Sequence, residues 1–114
     1  MMTIALLSMT VTFAENENVA NVNNVEAYDM SVNMRKLSVA LGLTSDQIEA
    51  VESIHQTFNA EMQFAAMSSS DDRKTKVDEA VDKDVKWMRY VLNDKQFRKY
   101  LLLLNTTLSN RGLR

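Results

Sequence analysis

No proline interrupts these 114 residues, and glycine occurs only at Gly42 and Gly112. Proline and glycine end helices and shape the turns of β architectures, so a chain almost without them is suited to long helices joined by short polar breaks. Its length suits one small domain. Cysteine is absent too, which removes disulfides, thiolate metal sites and thiol nucleophiles and leaves stability to an apolar core or to association between chains.

Residues 1–14, MMTIALLSMTVTFA, carry no charge, and a polar stretch opens at Glu15. Such a run matches the apolar region of a secretory signal, is too short to anchor in a bilayer, and offers small residues at Thr12 and Ala14 for cleavage after Ala14. The lysines or arginines that usually open a signal are missing, which leaves an upstream start or a buried helix as the other readings. No cysteine follows to carry a lipid, so a lipid-anchored lipoprotein is not expected, and the run being too short to span, neither is an integral membrane segment after cleavage. Residues 15–24, ENENVANVNN, read as a flexible polar leader, and residues 25–110 as a single helical domain.

Charge is divided along the chain. Residues 15–72 hold ten acids against Arg35 and Lys36, a balance of −8, whereas residues 73–114 hold eleven bases against five acids, a balance of +6. No Lys/Arg run exceeds two residues and no aromatic residues interleave with them in a stacking pattern, so nucleic acid is not an expected partner. The split fits acidic and basic helices lying side by side, within one chain or across an antiparallel homodimer.

The periodicity predicts four helices. Helix one, Val25 to Leu41, closes at Gly42 in a left-handed cap. Its apolar residues form two stripes, Val25, Tyr28, Val32 and Val39 on one side and Met30, Met34, Leu37 and Leu41 on another, which calls for cover on both sides. Leu43-Thr44-Ser45-Asp46-Gln47-Ile48 then has the form of a capping box, Thr44 with Gln47, closed by a Leu43–Ile48 staple. Helix two runs to about Met67 with Ile48, Val51, His55, Phe58, Met62 and Ala65 on one stripe. Helix three, about Asp71 to Leu92, turns Val77, Val81, Val85, Met88 and Leu92 inward and offers the pairs Asp72–Lys76, Glu79–Lys83 and Asp82–Lys86. Helices two and three match in length as an antiparallel hairpin. The helix start returns forty-nine residues on as Leu92-Asn93-Asp94-Lys95-Gln96-Phe97. Helix four follows to about Leu108, burying Phe97, Tyr100, Leu101, Leu104 and Leu108, with Leu102 and Leu103 pointing elsewhere.

A doubled Leu-Thr-x-x-Gln start, at Leu43, Thr44, Gln47 and again at Leu92, Asn93, Gln96, with a charged hairpin between, resembles the LTxxQ family of periplasmic Spy- and CpxP-like proteins over residues 37–104. The resemblance implies an export signal, an all-helical fold that dimerises into a thin curved cradle, and a stress-response role in the bacterial envelope. The activity it implies is an ATP-independent holdase that binds unfolded polypeptides. The alternative is a secreted helical module that binds one protein partner, such as the outer domain of a membrane sensor. Asn93 in place of the second threonine, the short domain and the acidic net charge depart from the family pattern and bear most on the client surface.

Enzymatic patterns are weak, so no enzyme, cofactor or metal is expected. His55, the single histidine, lies on an apolar stripe with no second histidine at ligand spacing. Asp71 and Asp72 sit at a helix start, and Asp78, Asp82 and Asp84 along a face where acids pair with lysines. A calcium loop lacks its turn glycine, and Ser68 to Ser70 lack the setting of a nucleophile elbow. Asn105-Thr106-Thr107 fits the glycosylation pattern but falls within helix four. The leftover apolar residues are more informative: Trp87 on the flank of helix three, Tyr90 on its far face beside Lys76 and Lys83, and Phe64 and Met67 off the stripe of helix two. Together they are candidates for an aromatic and methionine surface that contacts clients, or for a surface that a partner subunit covers.

Overall fold

The computed structural model describes residues 25–114; the signal-like run and the polar leader lie outside the described residues. A 3-10 turn, Val25–Tyr28, leads into four α-helices: α1 Met34–Leu41, α2 Ser45–Ala66, α3 Ser70–Val91 and α4 Asp94–Asn110. No strand occurs among the described residues, so the all-helical class expected from the scarcity of glycine and proline is the one observed.

Helix one is where the structure departs most from periodicity. A continuous helix from Val25 to Leu41 does not form; the chain leaves the 3-10 turn, extends through residues 29–33 and re-enters helix at Met34. Short polar side chains make the break. Asp29 Oδ1 accepts the Ser31 amide at 2.9 Å and Asn33 Oδ1 accepts the Lys36 amide at 3.1 Å, local bonds that compete with the helix ladder and then cap the new helix. The extended piece is held from outside, because the Met30 amide donates to Asn59 Oδ1 at 2.7 Å and the Met30 carbonyl accepts from His55 Nε2. With the helix broken, the two-stripe reading fails. Tyr28, Met30, Leu37 and Leu41 are buried, whereas Val25 and Val39 are exposed.

Gly42 closes α1 at φ 68°, the left-handed conformation that glycine takes without Cβ strain, and its amide bonds Ser38 O. Helices α2 and α3 are each 22 residues, about 33 Å at ~1.5 Å per residue, and form the expected antiparallel hairpin. Arg73 Nη2 closes the turn on Ser68 O at 3.1 Å. From α2 the stripe Val51, His55, Phe58, Met62 and Ala65 is buried, with Ile48 half-buried. From α3, Val77, Val81, Met88 and Leu92 go inward as expected, but Val85 is half-buried and Ala80 and Asp84 take its place. On α4, Phe97, Tyr100, Leu104 and Leu108 are buried; Leu103 joins them, Leu101 is half-buried and Leu102 stays exposed.

The pairs expected along helix three are replaced. Lys74 bonds Asp78 at 3.1 Å, and Lys83 crosses the hairpin to Glu61 on α2 at 2.8 Å rather than taking Glu79. The fold is closed end to end by Arg111, which is buried just past α4. Its Nη1 donates to the carbonyls of Ala27, at 3.2 Å, and of Asp29, tying the C-terminal end of the last helix to the first turn. The described residues span 39 × 30 × 19 Å.

Candidate functional site

The two repeated helix starts meet. Thr44 Oγ1 accepts the Gln47 amide at 3.2 Å while Gln47 Oε1 accepts the Thr44 amide at 3.0 Å; Asn93 and Gln96 do the same at 2.8 and 3.0 Å. Both capping boxes therefore form, Asn93 serving as well as threonine because its Oδ1 is an equivalent acceptor. The two glutamines then bond each other. Gln47 Nε2 donates to Gln96 Oε1 at 2.8 Å and Gln96 Nε2 to Gln47 Oε1 at 3.1 Å. Each also donates across to the chain entering the other cap, Gln47 to Val91 O at 3.1 Å and Gln96 to Gly42 O at 3.0 Å. The doubled motif is thus a two-fold-like clasp between the starts of α2 and α4, with Leu92 and Phe97 buried beneath it and Leu43 and Ile48 half-buried.

All four candidate contact residues are on the surface: Phe64 is 64%, Met67 83%, Trp87 48% and Tyr90 74% exposed. They form two patches, not one. The Trp87 and Tyr90 rings lie 5.7 Å apart, one helical turn from each other on α3. Phe64 instead lies under Lys76, whose Nζ is 5.2 Å from the ring centre. Lys76 precedes Trp87 by eleven residues, about 16 Å along the helix. Met67, at the hairpin turn, lines a hollow of about 450 Å³ with Val25 and Gln63. The ring nearest Tyr90 is that of Trp87, while Lys83 is engaged with Glu61.

Beside Trp87 the hairpin opens into a groove of about 270 Å³ lined by Ser53, Thr57, Glu61, Lys83, Asp84 and Trp87 among others. Asp84 is 3% exposed. Tyr100 donates its hydroxyl to Asp84 Oδ2, and Asp84 Oδ1 has no hydrogen-bond partner among the described residues. Burial pushes the Asp84 carboxyl up to about 7; the Tyr100 bond works against that, and the charge of Glu61 adds to it. Tyr100 is raised well above its ordinary 10, first by burial and then by the carboxylate it faces.

His55 is a packed histidine. Its ring meets Phe58 edge-on at 5.6 Å. Because a carbonyl can only accept, the bond to Met30 O puts the proton on Nε2, and burial lowers the ring to about 4, the Met30 bond partly opposing this. No group of three histidine, cysteine, aspartate or glutamate side chains that could hold a metal occurs among the described residues. Nor is any helix there long and apolar enough to cross a membrane.

Periodicity missed Asp84 and Arg111, although the signal was present. Val77, Val81, Asp84 and Met88 follow the 4-3-4 spacing of an inward stripe, and Phe97, Tyr100, Leu104, Leu108 and Arg111 carry another to its end. A polar side chain on such a stripe carries no apolar signal of its own, so periodicity assigns the inward position to the nearest aliphatic, Val85 in place of Asp84. No family model, no curated protein and no solved structure matches this chain.

Proposed function

We propose that this chain is an exported, ATP-independent holdase of the Spy and CpxP kind, which shields exposed apolar segments of unfolded polypeptides in the bacterial envelope. One observation carries the reading. The hairpin closes its core while leaving Trp87, Tyr90, Phe64 and Met67 in solvent, and Trp87 and Tyr90 are grouped with rings 5.7 Å apart rather than scattered singly, as apolar residues at a contact surface are. Phe64 beneath Lys76, Trp87 sharing a groove with Lys83, and the exposed Met67 suit weak, sequence-tolerant contact, since the thioether and the ring faces adapt to many apolar shapes. The Gln47–Gln96 clasp supports the resemblance by giving the repeated motif a joint structural task, and the uncharged run at residues 1–14 supports export.

The test is suppression of aggregation for two unrelated unfolded clients. A holdase protects both at near-stoichiometric amounts; a module dedicated to one partner protects neither. Replacing Trp87 and Tyr90 together by alanine should lower protection while leaving helicity and melting within the range of a surface change, about 0.5 kcal/mol. Should the double variant instead melt lower, and more so on dilution, these rings are the interface of a homodimer. Retention of full protection by a variant of unchanged assembly sinks the reading.

A further inference from the structure

We propose that the groove between α2 and α3 receives a basic side chain of a bound polypeptide, a lysine ammonium or an arginine guanidinium, with Asp84 as its counter-charge, Glu61 as the acceptor at the rim and Trp87 as an aromatic wall. The inference rests on the reading of the hairpin as a polypeptide-binding surface and adds to it which residues of a client are preferred.

The chemistry of the groove selects the occupant. Asp84 has one carboxyl oxygen satisfied by Tyr100 and the other without a partner, in a side chain that is 97% buried yet lines the opening. Buried acceptors are nearly always paired; this oxygen has almost no surface of its own, so Asp84 acts on the groove as a charge close behind its wall, and the hydrogen bond of an incoming donor falls to Glu61 at the rim. The groups around it carry a negative balance when Asp84 is ionised. From α2 comes Glu61, from α3 Lys83, which is taken up by Glu61 at 2.8 Å, and from α4 the neutral hydroxyl of Tyr100. Ser53 and Thr57 add hydroxyl oxygens, and Thr57, whose proton goes to Ser53 O at 3.3 Å, is left with acceptor capacity only. At about 270 Å³ the space admits one flexible side chain and excludes a folded element. The Trp87 ring supplies the surface on which a cation is attracted by the aromatic quadrupole, and its neighbour Tyr90 extends an apolar landing area for residues flanking the cation.

An incoming cation replaces the hydration that burial denies Asp84, so it favours the ionised carboxyl and displaces its proton. Because burial holds that carboxyl near 7, binding of a cation strengthens as pH rises through 7.

Trp87 is the single tryptophan of the chain and reports directly. Its fluorescence is titrated with two unstructured apolar peptides, free of tryptophan and identical except for lysine or norleucine at the centre. At pH 8 the lysine peptide should bind roughly tenfold more tightly, with the advantage shrinking at pH 6. D84N, close to isosteric and still able to accept from Tyr100, should bring the two peptides together without weakening the norleucine peptide. E61Q, on the half-exposed rim, should reduce the advantage without touching the core. Equal affinity of the two peptides for the unaltered protein, or a lysine advantage that survives in both variants, overturns the role of the groove and leaves the holdase reading standing. Binding of neither peptide overturns both.

Discussion

Two buried titratable residues, Asp84 and His55, give this small protein opposing responses to acid. Asp84 holds its proton to about 7 in the fold against 3.8 in the unfolded chain, so the folded state binds more protons between those values and stability falls as pH rises through them. His55 is lowered from 6.5 to about 4, so the unfolded chain binds more protons there and stability rises with pH over that window. Each shift is worth on the order of 3 to 4 kcal/mol at full extent, and the two slopes largely cancel between pH 4 and 6.5. Urea unfolding should therefore show the unaltered protein nearly level across that range. D84N should unmask the histidine and gain about 2 kcal/mol between pH 4.5 and 6.5. H55Q, whose amide can still donate to the Met30 carbonyl, should unmask the aspartate and lose about as much over the same range. If both variants track the unaltered protein, the two groups do not titrate in the way their burial requires.

At the scale of elements, the clasp joining α2 to α4 makes each glutamine serve both a local and a long-range bond. Gln47 accepts the cap amide of its own helix and donates to Val91 O and to Gln96; its replacement by alanine strands several partners at once and should cost about 2 to 3 kcal/mol. Thr44→Ala removes only the cap acceptor and should cost about 1 kcal/mol. Because Gln47 and Gln96 share bonds, the double alanine variant should be less destabilised than the two single variants added together, by about 1 kcal/mol in a double-mutant cycle. Strict additivity would mean that the two amides do not act as a pair. The local half of this arrangement was readable as Thr-x-x-Gln and Asn-x-x-Gln, since each cap involves four consecutive residues. The long-range half was not, because forty-nine residues separate the glutamines and nothing local says that the two helix starts face each other.

For the whole molecule, closure depends on Arg111, whose guanidinium brings the carbonyls of Ala27 and Asp29 to the end of α4 from more than eighty residues away. Arg111→Met keeps much of the buried stem and removes the donors to Ala27 O in the first turn and Asp29 O just after it; a loss of about 2 to 4 kcal/mol is expected, with the melting temperature falling accordingly. Hydrogen exchange should rise first at residues 27–30, where the lost bonds were. Unchanged exchange there would show that His55 and Asn59 suffice to hold the segment. Less apolar surface is left on the last helix for a second copy to cover than its sequence implied, since Leu103 is buried within the chain and Leu102 is the exposed leucine there. Light scattering with and without the Trp87 and Tyr90 replacements places any remaining interface on or off the aromatic pair.

What could be known from the residues alone was whatever depends on neighbours within a turn or two. The helical class, the hairpin, the left-handed cap at Gly42 and both capping boxes follow from propensity, 3.6-residue periodicity and side chains that reach three residues along the backbone. The break in helix one was also local, carried by Asp29, Ser31 and Asn33, but it competed with a convincing apolar stripe, and the choice fell to Met30 being gripped from α2 by His55 and Asn59. Only the tertiary structure decided that Phe64 and Met67 stand apart from Trp87 and Tyr90, that Gln47 meets Gln96, and that Asp84 is bonded by Tyr100 while it lines a groove between α2 and α3. Those outcomes depend on how helices distant in sequence are set against one another, and charge and polarity at one position do not say which partner the fold will bring to it.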